Sequence, residues 1–246
     1  MSSLSPLIGP ATSSSRADEL VQRITEAIHL GLLSDGEQLP VEVELARQFN
    51  VAPMTARDAL AELRQRGLVE TRRGRRGGSF IKRPEGPPVD YLRARLIELT
   101  TSELRDLADE HVAIAGQAAR LAAERASAVN MRRLFALTEQ LGAAATLGDR
   151  IRADCRFHIE VAIASQSERL TRREVALQAE ISGLLWLPVG PAIDIAKMVA
   201  DHHAMAAAVV SEDGDKARRL AEEHVDWELR RLISLRLVLT EPQETR

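Results

Sequence analysis

The segment LPVEVELARQFNVAPMTARDALAELRQRGLVETRRGRRGGSFIKR, residues 39–83, decides the fold. After Pro40, Leu45, Ala46 and Phe49 mark one face of a short helix. Asn50-Val51-Ala52 reads as a turn, and Pro53 suits a first helical position, where its missing N–H loses no partner. Ala56, Ala59, Leu60 and Leu63 then recur at helical spacing, with Thr55, Arg57, Asp58, Glu62, Arg64 and Arg66 opposite. Gly67 is a left-handed stop, and Leu68 covers the last turn. Leu68–Thr71 and Ser79–Ile81 read as short strands around the tip Arg72-Arg73-Gly74-Arg75-Arg76-Gly77-Gly78. The order is helix, turn, helix, wing.

Charge points the same way. From Met54 to Arg83 there are nine basic and three acidic side chains, a local +6 within a chain of net charge −3. Guanidinium groups pair with phosphate and fork onto guanine edges, so this face reads as a DNA contact. A merely solvated hairpin is the plain alternative, and the helix-turn-helix directly before it argues for the DNA reading. The overall acidity speaks against a general nucleic-acid coat and permits one local basic face.

Moving towards the N-terminus, Leu20, Ile24, Ala27, Ile28 and Leu32 share a face and predict a helix over 16–33 that completes a three-helix unit. Residues 1–15, rich in Ser, Pro and Gly, read as a disordered lead-in and lack the basic start and apolar run of a secretion signal. Towards the C-terminus, PEGPP at 84–88 is a stiff break, and 84–100 reads as a linker with a short helix from Val89. From 101 to about 240 only helical patterns follow, at 102–126, 129–145, 149–164, 168–187, 193–210 and 213–239. The expected fold is therefore mainly α. It comprises a winged helix-turn-helix over 16–83, of three helices and a two-stranded wing, then an all-α antiparallel bundle over 101–240.

Composition narrows the class. Aromatic residues make up 3% of the 246-residue chain, which favours helix over sheet. The single Cys155 excludes an internal disulfide and fits a reducing, cytoplasmic compartment. No apolar run is long enough to span a membrane.

Four residues of the second region can carry chemistry. Asp154 and His158, four apart, share a helical face. His202 and His224 lie 22 residues apart on the last two helices and can meet across a hairpin. Three imidazoles and a carboxylate suit a divalent ion such as Zn²⁺, Ni²⁺, Mn²⁺ or Fe²⁺. On spacing alone, Asp154 and His158 fit a structural or surface pair as well as a ligand pair. His203 is a rival to His202. Cys155 points about 100° away from Asp154 and reads as a packed thiol. Trp186 and Trp227 read as core or dimer-contact residues, Trp227 near any cavity that His224 lines.

Leu39-Pro40, Glu42, Glu44-Leu45-Ala46, Val51, Thr55, Arg57, Ala59-Leu60, Leu63 and Gly67-Leu68-Val69 resemble the winged helix-turn-helix of the GntR family of bacterial transcription regulators. Val41 and Ala52 stand where the family usually has capping serines, and Val43 and Pro53 where many members carry DNA-contacting arginines. Residues 101–239 resemble the helical effector domain of the FadR-like branch, called FCD. The match lies in Asp154-Cys155-Arg156-Phe157-His158, in Asp201-His202, Asp213, Ala217 and His224-Val225, and in LAAERA at 121–126. This resemblance implies a divalent metal on Asp154, His158, His202 and His224 beneath a cavity for a small organic acid. It implies operator contacts by Arg47, Thr55, Arg57, Arg72, Arg73, Arg75, Arg76 and Gly77, and a homodimeric, ligand-responsive regulator, by analogy a repressor. Where relatives carry an effector-holding Arg followed by Glu, this chain has His111 and Ala115, and Ser167 replaces a common asparagine. His111 can donate to an effector or be a bland half-buried residue. A DNA-binding protein with a purely structural metal, or a metal-dependent enzyme fused to a DNA anchor, are the alternatives; no catalytic signature supports the enzyme.

Overall fold

The computed structural model describes residues 16–74, 77–86 and 88–240. The described residues divide into two compact units, one of residues 16–28 and 33–83, the other of 29–32 and 84–240. The expected segment 1–15 lies outside the described residues.

The first unit contains α1 (Arg16–His29), α2 (Glu42–Phe49), α3 (Pro53–Gln65), β1 (Val69–Arg72) and β2 (Gly78–Ile81). Its core joins the apolar faces read from the sequence: Leu20, Ile24 and Ile28 of α1, Leu45 of α2, and Ala56, Leu60 and Leu63 of α3. Helices α2 and α3 start at Val41 and Ala52 with no side-chain cap, as those substitutions for serine dictate. The turn between them has Asn50 in the left-handed region at φ 52°. Helix α3 ends in a Schellman arrangement: Leu68 N–H donates to Leu63 O (2.9 Å) and Gly67 N–H to Arg64 O (3.0 Å). Gly67, at φ 72°, supplies the left-handed turn this ending requires. The wing is antiparallel, with Val69 opposite Ile81 and Arg72 opposite Gly78.

The second unit contains α4 (Val89–Glu98), α5 (Thr101–Arg125), α6 (Ala128–Ala143), α7 (Leu147–Ala164), α8 (Glu168–Leu185), α9 (Ile195–Val210) and α10 (Gly214–Thr240). The segment read as a linker is mostly α4, which packs on α8 and α10 and buries Leu96 completely. Helix starts are marked by reciprocal capping boxes at Thr100/Glu103 and Ser127/Asn130. Thr146 caps α7, so Leu147 and Gly148, outside the expected helix 149–164, belong to its first turn. The long helices α5 and α10 lie side by side, and α7 packs against α5, α6 and α8. Alanines Ala115, Ala119 and Ala122 of α5 and Ala217 and Ala221 of α10 form one small-residue core with Phe157, Met205 and Val225. Larger residues of α7, α8 and α10, including Ile159, Leu184 and Leu232, form a second.

Candidate metal centre and DNA-contacting elements

Helix α7 enters the bundle nearly surrounded. Asp154, Cys155, Phe157, His158, Ile159 and Glu160 are all buried. A buried carboxylate or imidazole is costly without a partner, so where these point is informative. Asp154 and His158, one turn apart on α7, meet His202 of α9 and His224 of α10. One donor atom from each lies within 4.8 Å of the others, and all four residues are buried. Asp154 Oδ1 is 3.4 Å from His202 Nε2 and 3.8 Å from His158 Nε2. The buried atoms Asp154 Oδ1, His158 Nε2, His202 Nε2 and His224 Nε2 have no hydrogen-bond partner among the described residues. His202 sits in the cluster, stacked on Phe157 with ring centroids 4.0 Å apart. His203 is exposed and lies edge-on to Phe135 instead.

The surrounding residues orient this set. Trp186 Nε1 donates to Asp154 Oδ2 at 2.8 Å, which engages one carboxylate oxygen and leaves Oδ1 facing the imidazoles. His224 Nδ1 lies 3.5 Å from the Asp201 carboxylate, so its Nε2 is the free edge. Cys155 is fully buried, its thiol pushed up by burial and the neighbouring Asp154, and it belongs to the apolar core. The sequence marks Trp186 only as core or dimer contact; its hydrogen bond to Asp154 is visible in the fold alone.

Two further carboxylates went unread. Glu228 is buried on α10, one turn beyond His224, with Oε1 3.4 Å from His224 Nε2 and 3.7 Å from His158 Nε2. The spacing of four was its sequence signal, the same one that joined Asp154 to His158. Glu174 of α8 is buried, and its Oε1 accepts from Gln178 at 2.9 Å and lies 3.2 Å from His111 Nε2. Nothing in the sequence pattern marked it. His111 is not half-buried but enclosed at 1% exposure, between Glu174 and, at 3.9 Å, Glu228. A cavity of about 10 Å³ touches His111 and Glu228 among apolar side chains including Leu104, Leu107, Ile181 and Leu232.

Electrostatics sort the imidazoles. Burial lowers His158 to about 4, and burial, then the charge on His224, holds His202 well below the usual range, so both are neutral donors. Burial also opposes charge on His224, but the Asp201 and Glu228 carboxylates outweigh it and raise it to about 9. Burial and the neighbouring Glu228 raise Asp154. Burial works against protonation of His111 too, yet Glu174 and then Glu228 raise it above the ordinary value.

On the winged unit, Arg57 is exposed on α3 and its Nε donates to Glu42 at 3.0 Å, while Thr55 is half-buried. Arg47 is exposed and pairs with Glu44 on its own helix. Arg72 pairs with Glu70 at 2.7 Å and lies over the Phe80 ring at 4.3 Å. Arg73 is exposed. A Cβ on Gly77 would come within 2.5 Å of Arg72 O, so this tip is closed around a residue without a side chain. Arg75 and Arg76 lie outside the described residues. Val41, Val43 and Met54, unremarked as a surface, are exposed apolar residues at the starts of α2 and α3.

Residues 16–80 match the family model for bacterial regulatory proteins of the gntR family, and residues 106–226 match that for the FCD domain. A Mycobacterium gastri protein designated HTH-type transcriptional regulator RmpR is 45% identical over 226 residues, 91% of this chain and 82% of its own length. The chain belongs to the GntR family. It is a transcription regulator with an FCD domain, not an enzyme. The Uxu operon transcriptional regulator of Escherichia coli is 27% identical over 91% of this chain and 89% of its own length. Among solved structures, Escherichia coli McbR/YncC shares the fold, with a TM-score of 0.52 at 16% identity over 90% of this chain and 98% of that one.

Proposed function

We propose that this GntR-family regulator binds a divalent metal through Asp154, His158, His202 and His224 and reads operator DNA in response to a small molecule held beside that metal. One observation carries the metal reading: four buried donor atoms on three helices converge with no hydrogen bond among the described residues. Leaving such atoms unpartnered costs roughly 1–3 kcal/mol each, so a ligand that satisfies all four at once explains the arrangement. Metal–donor bonds of about 2.0–2.2 Å put two donors on one ion at ~3–3.5 Å when adjacent and at most ~4.4 Å when opposite. The residues, whose donor atoms lie within 4.8 Å of one another, therefore fit an ion after closing by roughly an ångström. Zinc, nickel, manganese and iron(II) all accept this mixed imidazole–carboxylate set. The ion supplies a fixed positive charge that offsets Asp154 and can orient a ligand. Trp186 and Asp201 hold the ligating groups in register.

Arg57 and Thr55 on α3, with Arg47, Arg72, Arg73, Arg75, Arg76 and Gly77, form the operator contact in this reading. Arg57 reads a base edge once it leaves Glu42, and the wing arginines hold phosphates or the minor groove. Val43, standing where many relatives place arginine, and the exposed Met54 suit thymine methyl groups. The protein acts in the cytoplasm as a homodimer on a two-fold operator, by family analogy as a repressor released by its ligand. Among the described residues, no helix is long and apolar enough to cross a membrane. The ligand switches DNA binding only if its affinity differs between the two states. His111 touches the small cavity of about 10 Å³, and its charged neighbours are Glu174 and Glu228 rather than a cation. A ligand that brings hydrogen-bond donors fits this wall better than a simple organic acid.

The test is DNA binding by the full chain on the region upstream of its own operon, followed by anisotropy across salt, with metal content measured on dialysed protein. We expect steep weakening with salt, about one divalent ion per chain, and loss of that ion in the His158→Ala, His224→Ala double variant. Indifference to that DNA under all salt conditions, or metal retained in the double variant, refutes the corresponding half.

A further inference from the structure

We infer that Glu228 is a fifth protein ligand to the metal, a built-in carboxylate in the place an external acid would otherwise coordinate. The inference rests on the metal reading above and deepens it. Helix geometry puts Glu228 on the same face of α10 as His224, one turn on. Its Oε1 lies 3.4 Å from His224 Nε2 and 3.7 Å from His158 Nε2, close to the 3.4 Å and 3.8 Å that relate Asp154 Oδ1 to His202 and His158. Neighbouring donors on one ion are ~3–3.5 Å apart, so Glu228 Oε1 stands where a ligand stands. Glu228 is 3% exposed, and its other oxygen, Oε2, has no hydrogen bond and faces His111 Nδ1 at 3.9 Å. A buried carboxylate beside a second buried carboxylate, Glu174, is stable only with compensating positive charge.

Asp154, Glu174 and Glu228 bring three negative charges into the buried site. A divalent ion offsets two of them, leaving no positive deficit for an anion to fill. No arginine or lysine of the described residues is hydrogen-bonded to Glu174 or Glu228, or paired with either. A carboxylate effector would add a fourth negative charge in a low-dielectric pocket. An uncharged, donor-bearing group beside His111 and Glu228 suits this balance better than a carboxylate does.

Cobalt(II) reports this directly, because its visible d–d bands depend on the number and kind of its ligands. The full chain, freed of metal by chelation, is titrated with cobalt as wild type, Glu228→Gln and Glu228→Ala, each checked for native helicity by circular dichroism. Wild type should bind one cobalt per chain with bands unmoved by millimolar formate. Both variants should bind at least about tenfold more weakly, with altered bands, since even residues behind the ligands cost that much. Formate should restore the wild-type bands in Glu228→Ala by supplying the missing carboxylate. A wild type that binds no cobalt overturns the metal reading and the ligand role together. A wild type that binds, with variants of equal affinity and identical bands, overturns the role of Glu228 alone. Formate shifting the wild-type bands as it shifts those of Glu228→Ala also overturns it, because the position would then be open.

Discussion

Metal binding by this protein should be steeply pH-dependent, and the slope follows from one residue. His224 is raised to about 9 because Asp201 and Glu228 flank it, so near neutrality its ring carries a proton in the metal-free protein. An imidazole ligates only when neutral, so binding must expel that proton. Below a pKa of about 9, apparent affinity therefore tightens about tenfold per pH unit and levels off above it. His158 and His202, both lowered, are already neutral and add nothing near pH 7. Asp154 is raised and adds to the slope, so on the order of one to two protons leave per ion. Calorimetric titration in two buffers of different ionisation enthalpy counts the protons, and affinity from about pH 6.5 to about pH 8.5 gives the slope. The Asp201→Asn variant removes one cause of the raised pKa. Its affinity curve should move to lower pH, while its plateau weakens because the His224 ring loses its orienting partner. Pairing with Asp201 also contributes stability to the metal-free fold below the unfolded histidine value near 6.5, lost as pH rises through about 9. A pH-independent affinity, or no proton release, refutes the argument.

Three further predictions follow from single contacts. Trp186→Phe removes the 2.8 Å bond to Asp154 and should weaken metal binding about 10–100-fold while leaving one site per chain, read by competition with a chromophoric chelator. Arg57→Ala should cost about 1–3 kcal/mol on the cognate operator and relax preference at one base pair, read by anisotropy across single-base variants; a uniform loss would make Arg57 a phosphate contact. Gly67→Ala places a side chain at φ 72° and should destabilise the winged unit by about 1 kcal/mol, read as a lower melting temperature with the metal site unaffected.

Much of the winged unit was legible because its information is local. The alanine and leucine spacing of α3, the Asn50 turn, the Gly67 stop and the glycine-arginine tip each act within a few residues. The bundle helices were legible for the same reason, down to the pairing of Asp154 with His158, since residues four apart on a helix must share a face. The missing caps at Val41 and Ala52 were also plain. Helix boundaries slipped where a cap did the deciding, as at Thr146, which pulls Leu147 and Gly148 into α7.

By itself, then, the sequence determined which elements form and which face of each is apolar, because helical periodicity is a property of a segment alone. Only the tertiary structure decided that His202 rather than His203 meets Asp154, and that Trp186 holds the second oxygen of Asp154. It alone brought Glu174 to His111 and Glu228 to two imidazoles. Periodicity gives the direction a side chain leaves its own helix, not which other helix stands there. That second fact comes from the packing of α5, α7, α8, α9 and α10 together, and with it the charge of the pocket on which ligand choice depends.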